Sequence, residues 1–285
     1  MNGWGGDWLI GSRGLYRGPV GGPWHLVAPY IYTITRIVRE VDRTAVAVDY
    51  GVWDVPLNGN SWVQLHDETL TEIQDLAIVP GDPGLVAVSP YGLSTSHRDT
   101  SGFVRWRHWS DGLPVNQRFG NAVLVDPADC SRWLVGTEGG VLVAEDWGQD
   151  WVQTSLTGRA VWTLCCALGA FWAGTDGAGI WRSEDGVEWI QVGQGEHTVF
   201  SLAECHGRLL GGTLEGVVVG DGSGVWQRMG PRVLMQVVAA HPVEPDVWMA
   251  GGQPGGLWHT ENGGQTWQQS GDFHSVRAIA PPGGK

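Results

Sequence analysis

The chain has 285 residues, 30 of them acidic and 17 basic, for a formal net charge of −13; that excess disfavours nucleic acid and anionic membrane as general partners. Gly at 45 and Pro at 15 are high, but 42% hydrophobic content in regularly spaced runs excludes a low-complexity disordered chain. No window reaches 18 consecutive apolar residues, and the opening MNGWGGDWLIGS has neither a basic n-region nor an apolar h-region. The expectation is therefore no membrane insertion, no signal peptide and a cytoplasmic location.

In chain order, residues 7–28 carry three short strand signals, WLIGS, GLYR and WHLVA, and lack the strand that should open such a unit. Six fuller units follow at about 30–70, 71–113, 114–158, 159–195, 196–231 and 232–272. The missing opening strand is expected at 275–280, where VRAIAPP resembles LMQVVAAHP at 234–242 and GNAVLVDP at 120–127. Each unit ends on a tryptophan: Trp24, Trp62, Trp109, Trp151, Trp189, Trp226 and Trp267, at steps of 38, 47, 42, 38, 37 and 41 residues. A period near 40 with several short strands per unit predicts an all-β, seven-bladed β-propeller of four-stranded blades, one domain over 1–285. A composite blade built from both ends of the sequence (7–28 with 275–280) would close the ring and pair an edge strand that otherwise invites aggregation.

The opening strands align as ITRI, QDLA, GNAV, WTLC, FSLA, MQVV and VRAI, with a polar residue always second: Thr35, Asp75, Asn121, Thr163, Ser201, Gln236 and Arg277. A polar group recurring in an apolar strand asks for water or a ligand on one side, so these seven are expected to line the central channel. The turn after each second strand varies from blade to blade: Arg13, Tyr50, Tyr91, Glu138, Asp176, Leu214 with Glu215, and Gln253. In an antiparallel blade this turn shares one face with the loop entering the first strand, and those loops carry Arg118, Arg159, His197, Arg232 and His274. With Arg13 and Arg277, five arginines are expected on one mouth of the channel, a partner-binding face suited to carboxylates. Arginine supplies sixteen of the seventeen cationic side chains, against the single Lys285.

Between third and fourth strands, TENGGQTW at 260–267 matches the pattern S/T-x-D/N-x-G-x-T-W, with AEDWGQDW (144–151) and SEDGVEW (183–189) as variants. Asn262, Asp146 and Asp185 are expected to cap these turns, with Trp267, Trp151 and Trp189 packed beneath, which makes the motif structural. Cys130, Cys165, Cys166 and Cys205 form no CxxC or Cys/His ligand spacing and are expected as buried free thiols. The nine histidines fall at dissimilar blade positions, so neither a metal nor another cofactor is expected. Trp172, Trp181, Trp248 and Trp258 are expected in the core, and Trp4, Trp53, Trp106 and Trp147 nearer the surface.

These loops, the AGT-like second strands and the VxAIAxxP-type opening strands resemble the Asp-box (BNR) repeat propellers over the whole chain. Within that group the photosystem II stability and assembly factors are similar in blade count and arginine-rich face. That resemblance implies a non-catalytic scaffold that binds a partner protein, through an acidic or C-terminal segment, by Arg13, Arg118, Arg159, Arg232 and Arg277. Sialidases are the more distant resemblance and imply the alternative, a glycoside hydrolase or carbohydrate-binding propeller. Their first triad arginine lies in a Phe/Tyr-Arg-Ile-Pro motif; here the nearest string is Tyr16-Arg17-Gly18-Pro19, on a strand leading away from the mouth. Tyr50, Tyr91, Glu138 and Asp176 are the residues left to supply a nucleophile and an acid, and no catalytic residue is assigned.

Overall fold

The computed structural model describes residues 6–40, 43–56, 59, 61–79 and 84–283. Seven four-stranded antiparallel sheets form a ring, a seven-bladed β-propeller. Six sheets are simple meanders. The seventh runs Ala278–Ala280, Trp8–Ser12, Gly14–Gly18, His25–Leu26, with Leu9 opposite Ala280 and Gly11 opposite Ala278. The ring is thus closed by a blade drawn from both ends of the sequence. Arg39 of the adjoining blade donates from Nη1 to the carbonyls of Asp7 (2.8 Å) and Pro281 (3.2 Å), tying both halves of the closure from one side chain.

Strand identity follows burial. Second strands sit mid-blade with a neighbouring blade on each face, so they read as unbroken apolar or small-residue runs: Thr44–Val48, Leu85–Ser89, Ala170–Thr175 and Trp248–Gly252 are buried at every position. Three outer strands are short and wet, His25–Leu26, Val63–Gln64 and Gln268–Gln269, a length that leaves little edge for unwanted pairing, while Asp150–Thr157 runs to eight residues. Among the described residues the apolar core divides into seven clusters, and each straddles two neighbouring blades. Leu134 and Val143 pack against Phe171 and Trp189; Trp8 and Ile10 pack against Val237, Met249 and Leu257.

The glycine of the AGT-like second strands lets blades approach near the axis. A Cβ at Gly174 would lie 2.7 Å from the Val199 carbonyl oxygen, and one at Gly11 would lie 2.7 Å from Ile34 Cγ2; both neighbours belong to the next blade. Where Val88 stands near that place, the neighbour itself is glycine: a Cβ at Gly120 would lie 2.7 Å from Val88 Cβ. At these interfaces the bare backbone is supplied from either side, whereas Ala47, at the same place in its own second strand, is buried in one cluster with Ile73 of the next blade.

The hairpin loops at 183–189 and 260–267 share one hydrogen-bond scheme. Asp185 Oδ1 accepts from the amides of Val187 and Glu188, and Ser183 Oγ accepts from Gly186 N at 2.8 Å. Asn262 Oδ1 accepts from Thr266 N, and Thr260 Oγ1 from Gly264 N, both at 3.0 Å. Trp189 and Trp267 close each loop by donating to the carbonyls of Gly186 and Gly264. The amides of Glu188 and Val187 hold the Asp185 carboxyl below the usual carboxylate range. The loop at 144–151 differs: Asp146 and Trp147 take left-handed φ of 46° and 60°, so Asp146 Oδ2 meets the Gln149 side chain, and Trp151 Nε1 donates to the Trp109 carbonyl.

Trp8, Trp133, Trp172 and Trp248 are the fully buried tryptophans. Trp181 and Trp258 are only half-buried, their indoles tied to the carbonyls of Ala178 and Gly255 at 3.0 and 2.7 Å. Trp106, expected nearer the surface, is buried and donates to the Leu65 carbonyl. Trp53 is half-buried, Trp147 is exposed, and Trp4 lies outside the described residues, as does Lys285. Cys205 is buried; Cys166 is exposed, because alternation along Val161–Ala167 sends it opposite to Cys165. Burial pushes both the Cys165 and Cys166 thiols up, away from reactive thiolate.

The close blade contact is testable. Gly174→Ala should lower unfolding stability by about 1–3 kcal/mol, the range for overpacking, while the exposed Val225→Ala should stay within about 0.5 kcal/mol; paired guanidinium denaturation curves measure both.

Candidate functional site

Because each blade is an antiparallel meander, the starts of the opening strands and the turns after the second strands gather on one face of the disc. The seven polar positions expected to line the channel lie at those starts, and most are engaged across blade boundaries. Thr35 Oγ1 donates to the Ile73 carbonyl at 2.9 Å; Thr163 Oγ1 accepts from Leu202 N and Ser201 Oγ from Val238 N, both at 3.2 Å. Asp75 is the strongest link. Its Oδ1 meets Arg36 Nε at 2.7 Å on one neighbouring blade and its Oδ2 accepts from Val123 N at 3.0 Å on the other. Burial pushes the Asp75 carboxyl up, opposed by the Arg36 guanidinium and the amides of Val123 and Leu76. Asn121 donates to Glu138 Oε1 within its own blade, Arg277 turns to Gln253, and Gln236 Oε1 is buried without a partner. Deeper in the channel, towards the ends of the opening strands, the wall is mostly apolar, with Ile37, Leu76, Val123, Leu164, Leu202 and Ile279, and carries Arg36, Arg39, Glu40 and Glu204 among them.

The turn residues also differ in what they do. Glu138 accepts from Asn121, Asp176 Oδ1 accepts from Thr198 Oγ1 at 2.8 Å, and Glu215 forms an ion pair with Arg228 at 3.2 Å. Tyr50, Tyr91 and Leu214 are exposed. Arg118 Nε donates to the Leu113 carbonyl at 2.7 Å from a short helix, Val115–Arg118, for which the sequence carried no signal. Arg159 lines a separate cleft with Trp181 and Glu196, and Arg232 is exposed on its entry loop. Arg17 sits on the strand Gly14–Gly18, 3.8 Å from Asp7.

The structure brings together Arg13, Gln253, His274 and Arg277 at the closure seam, in a cleft of about 670 Å³ between the composite blade and the blade before it. Arg277 donates from Nε and Nη2 to Gln253 Oε1 at 3.3 and 3.1 Å. The backbone of Arg13 bridges to Thr33 of the following blade, which fixes its position at the rim. Tyr16, Trp24 and Phe273 line the same cleft, Phe273 edge-on to both, with ring centroids 5.1 Å from Tyr16 and 6.1 Å from Trp24. Asp272 is the only carboxylate among the described lining residues. This aromatic wall has no signature in the sequence. Trp24 stands at a repeat end like the other anchor tryptophans, and Tyr16 and Phe273 are 257 positions apart, so only ring closure makes them neighbours.

Among the described residues none of Arg13, Arg118, Arg159, Arg232 and Arg277 forms an ion pair, whereas Arg17, Arg36, Arg43, Arg105, Arg132, Arg182 and Arg228 do.

No protein-family model matches the sequence. No curated protein matches it either. Solved structures do. The GH74 xyloglucanase from Xanthomonas campestris superposes with a TM-score of 0.67 at 16% identity, over 92% of this chain and 46% of that one. The Neurospora crassa Pan2 WD40 domain gives 0.61 at 14% identity, over 98% and 87%. The Niastella koreensis GH74 enzyme gives 0.63 at 16%, over 83% and 45%. The likeness is one of fold. The chain spans under half the length of either GH74 enzyme, and the same disc serves glycoside hydrolases and WD40 domains alike.

The Arg36–Asp75 clasp gives a pH-dependent prediction. Arg36→Met leaves a buried carboxylate that holds its proton to higher pH folded than unfolded. Its contribution is intact below about pH 4 and lost as pH rises through the folded pKa. The expected penalty at pH 7 is about 2–3 kcal/mol, below the 3–5 of a fully buried pair because Arg36 is half in water. Denaturation at pH 4 and pH 7 measures it; equal penalties would mean that Arg36 acts through packing alone.

Proposed function

We propose that the protein is a non-catalytic interaction or assembly scaffold whose arginine-bearing face holds an acidic segment of a partner protein, with the seam cleft as its centre. The observation that carries this reading is that Arg13 and Arg277 share one cleft, unpaired with any described carboxylate, while arginines such as Arg36, Arg132 and Arg228 are ion-paired elsewhere. A guanidinium with open N–H groups gains most from a carboxylate, which it grips with two parallel bonds. Arg118, Arg159 and Arg232 around the same mouth extend the field and speed capture of an acidic partner. The shared scheme of the loops at 183–189 and 260–267 supports kinship with the Asp-box propellers, and the WD40 domains of like fold support an interaction role.

The carbohydrate reading rests on the aromatic rings of the cleft, since rings stack on sugars, and on the GH74 enzymes of like fold. Hydrolysis between two carboxylates requires a pair flanking the bond, and the described lining offers Asp272 alone. Glu138 and Asp176 stand on other blades, each accepting a hydrogen bond from a neighbouring polar side chain. A scaffold reading therefore accounts for more of the site.

The double variant Arg13→Glu with Arg277→Glu should abolish capture of a stoichiometric partner from lysate at moderate salt while leaving the unfolding midpoint nearly unchanged. Quantitative mass spectrometry of wild-type and variant pull-downs decides it. A partner retained by the variant, or glycan binding with no partner in either sample, would defeat the scaffold reading.

A further inference from the structure

Resting on that reading, we propose that the seam cleft selects a carboxylate carried beside an aromatic ring, and that Gln253 is the positioning residue that keeps the cleft cationic.

The argument for Gln253 comes from comparing the same turn around the disc. Three other blades place an acid there: Glu138 holds Asn121, Asp176 holds Thr198, and Glu215 neutralises Arg228. At the seam the turn residue is an amide. Gln253 Oε1 accepts from Nε and Nη2 of Arg277, so it does the orienting work of a carboxylate without cancelling the charge. Guanidinium carries five N–H donors; with the Nε edge bound to Gln253, the Nη1 group remains to meet a ligand. Arg13 lies across the same cleft, and the opposing charge in the described lining is Asp272. Two guanidiniums against one carboxylate leave the site net positive within a strongly acidic protein.

The aromatic preference comes from how the ring polar groups are spent. Trp24 Nε1 donates to Ser270 Oγ at 3.1 Å, and the Tyr16 hydroxyl points to the Arg13 carbonyl at 3.4 Å. Both rings therefore offer the cleft apolar surface and no free donor, as does Phe273. Their edge-to-face arrangement, with Phe273 at 85° to Tyr16 and 72° to Trp24, is the packing a further ring extends with a gain beyond area burial. An acid alone satisfies the arginines and leaves this wall wet; an acid with an adjacent ring satisfies both.

The test uses the full chain and fluorescein-labelled hexapeptides centred on Asp-Trp and Trp-Asp, with Asn-for-Asp and Ser-for-Trp counterparts, read by fluorescence anisotropy. An Asp-plus-Trp peptide should bind, and loss of either group should weaken it about tenfold or more, some 1.4 kcal/mol. Gln253→Glu, equal in size, should weaken it to a similar degree with an unchanged unfolding midpoint, whereas Gln253→Ala should weaken it less. If Gln253→Glu binds as wild type while Arg277→Ala does not, the role of Gln253 is overturned. If the Ser-for-Trp peptide binds as well as its parent, the ring preference is overturned. If no peptide binds although the pull-down still depends on Arg13 and Arg277, the ligand chemistry is overturned and the scaffold reading stands; loss of that dependence would instead sink the scaffold reading itself.

Discussion

The close approach of neighbouring blades near the axis is the constraint on which the rest of this disc depends. Each sheet is buried on both faces, so stability resides in seven inter-blade clusters and not within any one blade. Near the axis the gap leaves little room for side chains on both walls. Gly11 and Gly174 leave room from their own second strands, Gly120 leaves it from the blade after Val88, and the small Ala47 stands at the same place beside Ile73. Dense interiors tolerate little volume change, so these glycines act as spacers that set the pitch of the ring.

That pitch explains the fate of the polar residues at the second position of the opening strands. With blades this close, Thr35, Asp75, Thr163 and Ser201 reach the backbone of the adjacent blade and satisfy an amide or carbonyl there. A buried polar group must find a partner or lose a few kcal/mol, and the next blade is the nearest source. Those four positions are thereby drawn into joining the disc, while Asn121 bonds within its own blade and Gln236 Oε1 has no partner.

Closure at the seam has a second consequence, which is electrostatic. The composite blade places Arg13 from one end of the sequence beside Arg277 from the other, within a cleft whose turn residue is the neutral Gln253. Elsewhere on the same face the turn acids Glu138, Asp176 and Glu215 are engaged by neighbouring side chains. The seam cleft thus combines two arginines with an aromatic wall.

Periodicity made the architecture legible. Tryptophan spacing, buried strand patterns and a missing strand at one end announced seven four-stranded blades and their closure, because each is a local pattern repeated along the chain. The hairpin caps Asp185 and Asn262 were legible for the same reason, while the loop at Asp146 departed because its backbone turns left-handed at two successive residues. The candidate site was legible only as residue types: Arg13, Gln253, His274 and Arg277 could be assigned to one face, but not to one cleft apart from Arg118, Arg159 and Arg232. Which of them share a pocket depends on the ring closing and on the direction in which each side chain is pulled. Tyr16, Trp24 and Phe273 form a wall only once the first and last strands pair. Sequence thus determined the repeating unit, whose information is short-range; tertiary structure decided the site, whose parts meet only across the closure.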